Sequence, residues 1–315
     1  MIVALAGGVG GAKLAHGLAQ VLPPERLAVV VNVGDDFEHL GLHISPDLDT
    51  IFYTLAGIAN PVAGWGVANE TWSFMDALGR LGGETWFRLG DRDLATHVER
   101  TRMMRAGASL TEATRAFLSA YAIKRHVLPA SDDPIRTFVA TDEGELAFQH
   151  YFVRRQCAPR LSGLEYRGAE SARPSQLAGT PWTELRASAA IICPSNPYLS
   201  IAPILAMPAA RAWLERRRFP ALAVSPIVQG RALKGPAAKI MQELGEEPSV
   251  VAVARCYRGL VDALAIDESD RGHADEIAAL GVTPVVLDIV MRDAADRARL
   301  ARQIVASPLF SGAWR

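Results

Sequence analysis

The sequence predicts an α/β protein, with a mostly parallel sheet between helices and a small helical insertion after the second strand. Three observations predict it. Short apolar runs recur along the chain, a glycine-rich turn joins the first run to a helix, and residues 50 to 120 carry helical spacing without a convincing strand. Helices cover both faces of a parallel sheet, so its strands read as near-continuous apolar stretches.

Taken in order, strands are expected at residues 2–6, 27–33, 189–193, 221–225, 250–254 and 285–290. Helices are expected between several of them, including Arg211 to Arg217 and Arg292 to Val305. The insertion shows helix-period patterns at Thr50–Leu55, Thr71–Leu81, Leu94–Ala106 and Leu110–Tyr121. Thr137 to Thr141, a turn at Asp142–Gly144 and Leu146 to Val153 read as a β-hairpin. Gly163 to Thr180 is polar and reads as a surface connection. The expected division is a nucleotide-binding core of residues 1–45 and 127–315 around an insertion of residues 46–126.

Composition narrows the function classes. At 315 residues, half of them hydrophobic, the chain can bury a substantial core. No apolar run approaches the ~18 residues of a membrane span, and no secretory leader pattern is visible. A net charge of −1 argues against a general nucleic-acid or anionic-membrane surface. Cys157, Cys193 and Cys256 are scattered and odd in number, which suggests a reduced, cytoplasmic setting.

The chemistry concentrates in a few clusters. Gly7-Gly8-Val9-Gly10-Gly11 follows the first strand and opens a helix at Ala12-Lys13-Leu14. Such a turn lets the backbone approach a phosphate, and the helix N-terminus behind it favours an anion. It is neither a Walker loop nor a dinucleotide fingerprint, since Ala12 precedes Lys13 and no glycine stands at position 13. A merely tight strand-to-helix turn fits the pattern as well. Gly34-Asp35-Asp36 ends the second strand.

Ser45-Pro46-Asp47-Leu48-Asp49-Thr50 has two readings. It is a helix start, with a cap, a first-turn proline and carboxylates at the positive dipole end. Or Asp47 and Asp49 share a magnesium ion or orient a hydroxyl. Arg88-Leu89-Gly90-Asp91-Arg92-Asp93 is a turn into a helix that puts Asp93 and His97 on one face. Pro194-Ser195-Asn196-Pro197 lies just after a candidate strand, at the edge where open parallel sheets bind ligands. Lys234 is another candidate phosphate contact, although a lone loop lysine is more often a solvated surface residue. No Ser-His-Asp or Cys-His arrangement is legible, so covalent nucleophilic catalysis is not indicated.

Together these clusters, with Leu128-Pro129-Ala130-Ser131, Phe148-Gln149 and Ser225-Pro226-Ile227, resemble the 2-phospho-L-lactate transferase family of deazaflavin-coenzyme (F-420) biosynthesis, in order from residue 1 to about 300. The resemblance implies a Rossmann-like, three-layer α/β core with a helical insertion, as a homodimer. It implies magnesium-dependent transfer of a phospho-acid group from a guanosine diphosphate-linked donor to the ribityl hydroxyl of a deazaflavin alcohol, with release of GMP. It implies deazaflavin contacts at Asp49 and Arg88. Guanosine diphosphate contacts are implied near Gly8, Gly10, Ser195 and Asn196, and Lys13 of the same motif is placed with them.

Within that chemistry Asp49 is the expected acceptor-orienting group or general base, and Asp47 shares the catalytic role. Asp36 and Asp47 are expected nearest the metal. Ala130 and Ile289 depart from the family's usual residues at peripheral positions. The donor acid, phospholactyl, phosphoenolpyruvyl or phosphoglyceryl, stays open, because ~1–3 kcal/mol separates such groups in a pocket. The alternative is a related regulatory branch that binds nucleotide sugars without transferase activity and lacks the Ser-Pro-Asp-Leu-Asp pattern.

Overall fold

A computed structural model describes residues 1–310. Its centre is a seven-stranded sheet whose neighbours all run parallel. Numbering only the strands of this sheet, they are β1 Ile2–Ala6, β2 Leu27–Val31, β3 His126–Pro129, β4 Ala189–Ile192, β5 Ala221–Val224, β6 Ala263–Asp267 and β7 Thr283–Leu287. The spatial order is β7-β6-β5-β4-β1-β2-β3. β1, β2, β4, β5 and β6 are buried along their whole length, as their apolar composition requires. This is the expected α/β class in a Rossmann-like order. The order reverses between β1 and β4, and open α/β sheets bind ligands at the carboxyl ends of the strands at such a reversal.

Two departures from the expected elements are informative. Residues 250–254 are not a strand: Val250–Cys256 is a helix, and Ser249 Oγ accepts the Ala252 N–H (3.1 Å) at its start. A five-residue apolar run looks the same in a buried helix and a buried strand, and here the serine cap decides. The strand that takes its place is β6, thirteen residues further on, and the expected sheet strands omitted both it and β3 at His126–Pro129. Gly163 to Thr180 is not simply a connection either. Leu161–Arg167 is a strand antiparallel to Arg136–Thr141, which also pairs with Gly144–Ala147, making a three-stranded sheet of the expected hairpin. The hairpin's second arm ends at Ala147, and His150–Arg154 coils into a π-helical turn.

The insertion contains α2 Pro46–Leu55, α3 Ser73–Arg80, α4 Asp91–Arg105 and α5 Leu110–Ala120. Leu48, Ile51 and Phe52 of α2 and Leu110 and Leu118 of α5 are part of the main core. A small separate core of Ile44, Met75 and Leu89 sits under α3 and the turn before α4. α1 Gly8–Val21 packs on α2 and on the C-terminal helix Ala294–Val305. Gly17 makes the second contact close, since a Cβ there would lie 2.1 Å from the Arg297 carbonyl oxygen. Among the described residues no helix is long and apolar enough to cross a membrane.

Candidate active site

The glycine turn lies at the strand-order reversal. Gly8 begins α1 with φ +63°, a left-handed conformation that glycine adopts without penalty. The first four N–H groups of a helix have no intrahelical carbonyl to bond. Side chains take two of them: Gly7 N–H donates to Ser195 Oγ (3.0 Å) and Gly8 N–H donates to Asp47 Oδ1 (2.7 Å). The Ser195 hydroxyl donates back to the Gly7 carbonyl (2.8 Å). No side-chain acceptor among the described residues takes the Val9 or Gly10 amide. Gly10 also has a packing reason, because a Cβ there would lie 2.1 Å from the Pro194 carbonyl oxygen.

Asp47 ties this turn to an acidic group. Asn32, fully buried, sends Nδ2 to Asp35 Oδ1 (2.7 Å), Asp47 Oδ2 (3.0 Å) and the Leu199 carbonyl (3.1 Å). Burial raises Asp47 to about 6, against the hydrogen bonds from Asn32 and Gly8. Burial, then the charge of Asp47, holds Asp35 well above the usual carboxylate range. Asp36 Oδ2 accepts the Ser45 hydroxyl (2.9 Å) and lies 3.2 Å from His43 Nε2, while its buried Oδ1 has no partner.

Magnesium fits these residues. Two buried carboxylates held above their normal pKa and an unpartnered carboxylate oxygen are stabilised by a divalent cation. Among the described residues no three His, Cys, Asp or Glu side chains form a metal cluster by themselves. Magnesium does not require such a cluster, since it usually takes one or two carboxylates plus waters and substrate phosphates.

Asp49 faces elsewhere. Two residues on from Asp47 in the first turn of α2, it is directed at α4, where Arg100 engages both its oxygens, Nη1 on Oδ2 at 3.1 Å and Nη2 on Oδ1. His97 stands between two carboxylates, Nδ1 3.7 Å from Asp49 Oδ2 and Nε2 3.2 Å from Asp93 Oδ1. The Asp93–His97 face expected from their spacing is thus formed. Tyr53 donates its hydroxyl to Asp93 (2.6 Å). Burial works to raise Asp93, but hydrogen bonds from His97 and Tyr53 leave it lowered. The two carboxylates of Ser45–Thr50 therefore serve different neighbours, Asp47 the glycine turn and Asp49 the insertion.

The other expected site residues are spread around this centre. Ser195 is buried and locks the turn. Asn196 Oδ1 accepts the Tyr198 and Leu199 amides, and its buried Nδ2 has no partner. Lys13 donates from Nζ to the Met291 carbonyl (2.8 Å), and burial, then the charges of Arg297 and Lys234, lower its pKa. Arg88 is exposed, its guanidinium 4.2 Å from the Trp72 ring centroid, and its described contact joins none of the carboxylates. Three residues escaped the sequence reading: Asn32, Arg100 and Ser200, which hydrogen-bonds Asp47. Asn32 left a signal, a polar side chain inside the run Leu27 to Val33. Arg100 left only its three-residue spacing from His97.

Comparisons with known proteins agree over nearly the whole chain. A family model described as 2-phospho-L-lactate transferase CofD matches residues 2–309. A phosphoenolpyruvate transferase of Streptomyces griseus subsp. griseus is 38% identical, with 96% of each chain covered. A 2-phospho-L-lactate transferase of Methanosarcina acetivorans is 38% identical over 96% of this chain and 98% of its own. One of Methanopyrus kandleri is 39% identical over 96% of each. Among solved structures, a UPF0052 family member from Bacillus halodurans superposes with a TM-score of 0.61 at 14% identity, covering 96% of this chain and 98% of its own, and shares the fold.

Proposed function

Because the chain belongs to the 2-phospho-L-lactate transferase CofD family, we propose that it transfers a phospho-acid group from a guanosine diphosphate-linked donor to the ribityl hydroxyl of a deazaflavin alcohol. The acceptor hydroxyl attacks the phosphorus that carries the acid, and the phosphoanhydride bond to GMP breaks. The observation that carries this reading is the Gly8–Asp47 hydrogen bond, which joins a phosphate-type turn to a buried acidic group.

The residues divide the work as follows. Val9 and Gly10 N–H and Asn196 Nδ2 hold the donor phosphates, with Lys13 adding positive charge and Ser195 fixing the turn. Asp36 and Asp47 hold magnesium, with Asp35 joined to them through Asn32. When bound, magnesium neutralises charge on the donor's phosphates, which is most of what phosphoryl transfer asks of a protein. Asp49, fixed by Arg100, orients the acceptor, and Arg88 contacts its far end. The hydroxyl proton passes to Asp49, the general base expected from the sequence. The donor acid is phospholactyl, phosphoenolpyruvyl or phosphoglyceryl. The homodimer and cytoplasmic setting expected from the sequence remain part of this reading.

The test is GMP release from the three guanosine diphosphate-linked acids with magnesium chloride, with and without the deazaflavin alcohol. Acceptor-dependent GMP identifies the transferase and its donor. No GMP from any donor, with nucleotide-sugar binding intact, leaves the regulatory reading instead.

A further inference from the structure

Two adjoining clefts, largely open to solvent and of about 460 and 490 Å³, lie away from the glycine turn. They follow the amino ends of β4, β5 and β6, the opposite edge of the sheet from the proposed donor crevice. Each falls within the ~300–1,000 Å³ range of small-molecule sites. Their lining is strongly basic for a chain of net charge −1: Arg216, Arg217 and Arg218 line it in succession, and Arg186 comes from the other side.

The acids at this edge are already committed. Glu215 pairs with Arg211 (2.8 Å). Asp262 pairs with Arg217 (2.6 Å) and also accepts the Ala221 N–H (2.8 Å). Arg217 closes the preceding helix by donating to the Leu214 carbonyl (2.8 Å), the usual task of a basic residue there. Arg186, Arg216 and Arg218 line the first cleft, are exposed, and have no ion pair among the described residues. Between them lie Trp213 and Phe219, ring centroids 5.0 Å apart and both half-buried. Trp182 backs Trp213 edge-on at 5.3 Å, which fixes that ring's plane.

We infer that this basic, aromatic-walled cleft is a second ligand site, for a nucleoside polyphosphate, separate from the proposed donor crevice. Guanidinium forks match phosphate oxygens in pairs, and Trp213 offers a fixed ring for a base to stack on. A polyphosphate satisfies all three free arginines at once. A base without phosphates leaves them unpaired.

The test is a titration of the whole protein with adenosine triphosphate, whose base the guanine-linked donor does not carry, followed by tryptophan fluorescence. A saturable quench is expected. It should disappear in Trp213→Phe and weaken at least tenfold in an Arg186→Ala/Arg216→Ala/Arg218→Ala variant. Thermal melting of that variant should match the wild type, because the removed side chains are exposed. Its GMP-release rate should also be unchanged, so this site and the proposed transferase reaction stand or fall separately. No quench in the wild type, or an equal quench in the triple variant, overturns the site. Inorganic tripolyphosphate competing as tightly as adenosine triphosphate overturns the nucleoside assignment.

Discussion

Asp47 Oδ1 accepts the backbone amide of Gly8 at 2.7 Å, across 39 positions of sequence. The contact places a carboxylate at the end of a helix that is also offered to phosphate, so part of the turn's positive character is already answered. In the proposed reaction a donor binds beside Asp47, at Val9 and Gly10, and brings its phosphates against the acidic group. Like charges meet there unless a cation lies between them.

This arrangement has a pH signature. Asp47 is raised to about 6 and Asp35 is raised as well, so the folded state holds protons that the unfolded chain releases at lower pH. The stability linked to those protons is present below the unfolded pKa, near 4, and is lost as pH rises through about 6. For Asp47 alone the difference is roughly 3 kcal/mol. Asp47→Asn should melt near the wild-type temperature at pH 4.5 and above it at pH 7 without magnesium. Magnesium chloride should raise the wild-type melting temperature more at pH 7 than at pH 5, and Asp47→Asn should lose that difference. A magnesium response independent of both pH and Asp47 would remove these carboxylates from the metal site.

Asp49 and Arg100 should behave as one unit. Removing either partner of a buried pair leaves a charge alone, at a cost of about 3–5 kcal/mol. Arg100→Met and Asp49→Leu should each lower the melting temperature sharply, and the double variant should lose less than their sum. The milder Asp49→Asn should still fold, and if Asp49 orients the acceptor its kcat should fall by roughly 10²–10⁴. Wild-type turnover in a folded Asp49→Asn protein would confine the pair to a structural role.

Arg88 should separate from the core altogether. It is exposed and its ring contact with Trp72 is worth about 0.5–1 kcal/mol, so Arg88→Ala should barely move the melting temperature. If it contacts the deazaflavin alcohol, the acceptor KM should rise about tenfold or more, since charge-assisted hydrogen bonds are worth about 1.5–3 kcal/mol. The donor KM should stay constant. An unchanged acceptor KM would place the acceptor elsewhere.

Gly10 is the opposite case. With the Pro194 carbonyl 2.1 Å from where a Cβ would stand, Gly10→Ala forces the turn and the end of β4 apart. A loss of about 1–3 kcal/mol in urea unfolding is expected, with weakened GDP binding following from the displaced turn. Gly10→Ala with wild-type stability would show that the two backbones are not held together.

The class of fold was legible because burial on both faces leaves continuous apolar runs, and β1, β2, β4 and β5 were found that way. β6 was passed over and Val250–Cys256 was read as a strand, since run length does not distinguish the two and the serine cap is a local detail. Ser195 and Asp47 were legible as members of clusters. Their partners were not, because the Gly7–Ser195 contact spans 188 positions and no spacing rule reaches that far. Arg100 is hidden differently. On the polar helix α4 a buried arginine looks like its solvated neighbours until α2 is packed against it.

The close fit of Gly17 to the Arg297 carbonyl, with Lys13 bonded to Met291, has a consequence for how the chain is made. The helix that follows the glycine turn is synthesised well before the helix that backs it. An incomplete chain can form the β1 turn but has nothing to hold α1 in place. The proposed nucleotide site is therefore incomplete until Ala294–Val305 has been made, and a truncated chain ending before Ala294 presents an apolar flank of α1 in place of a finished site.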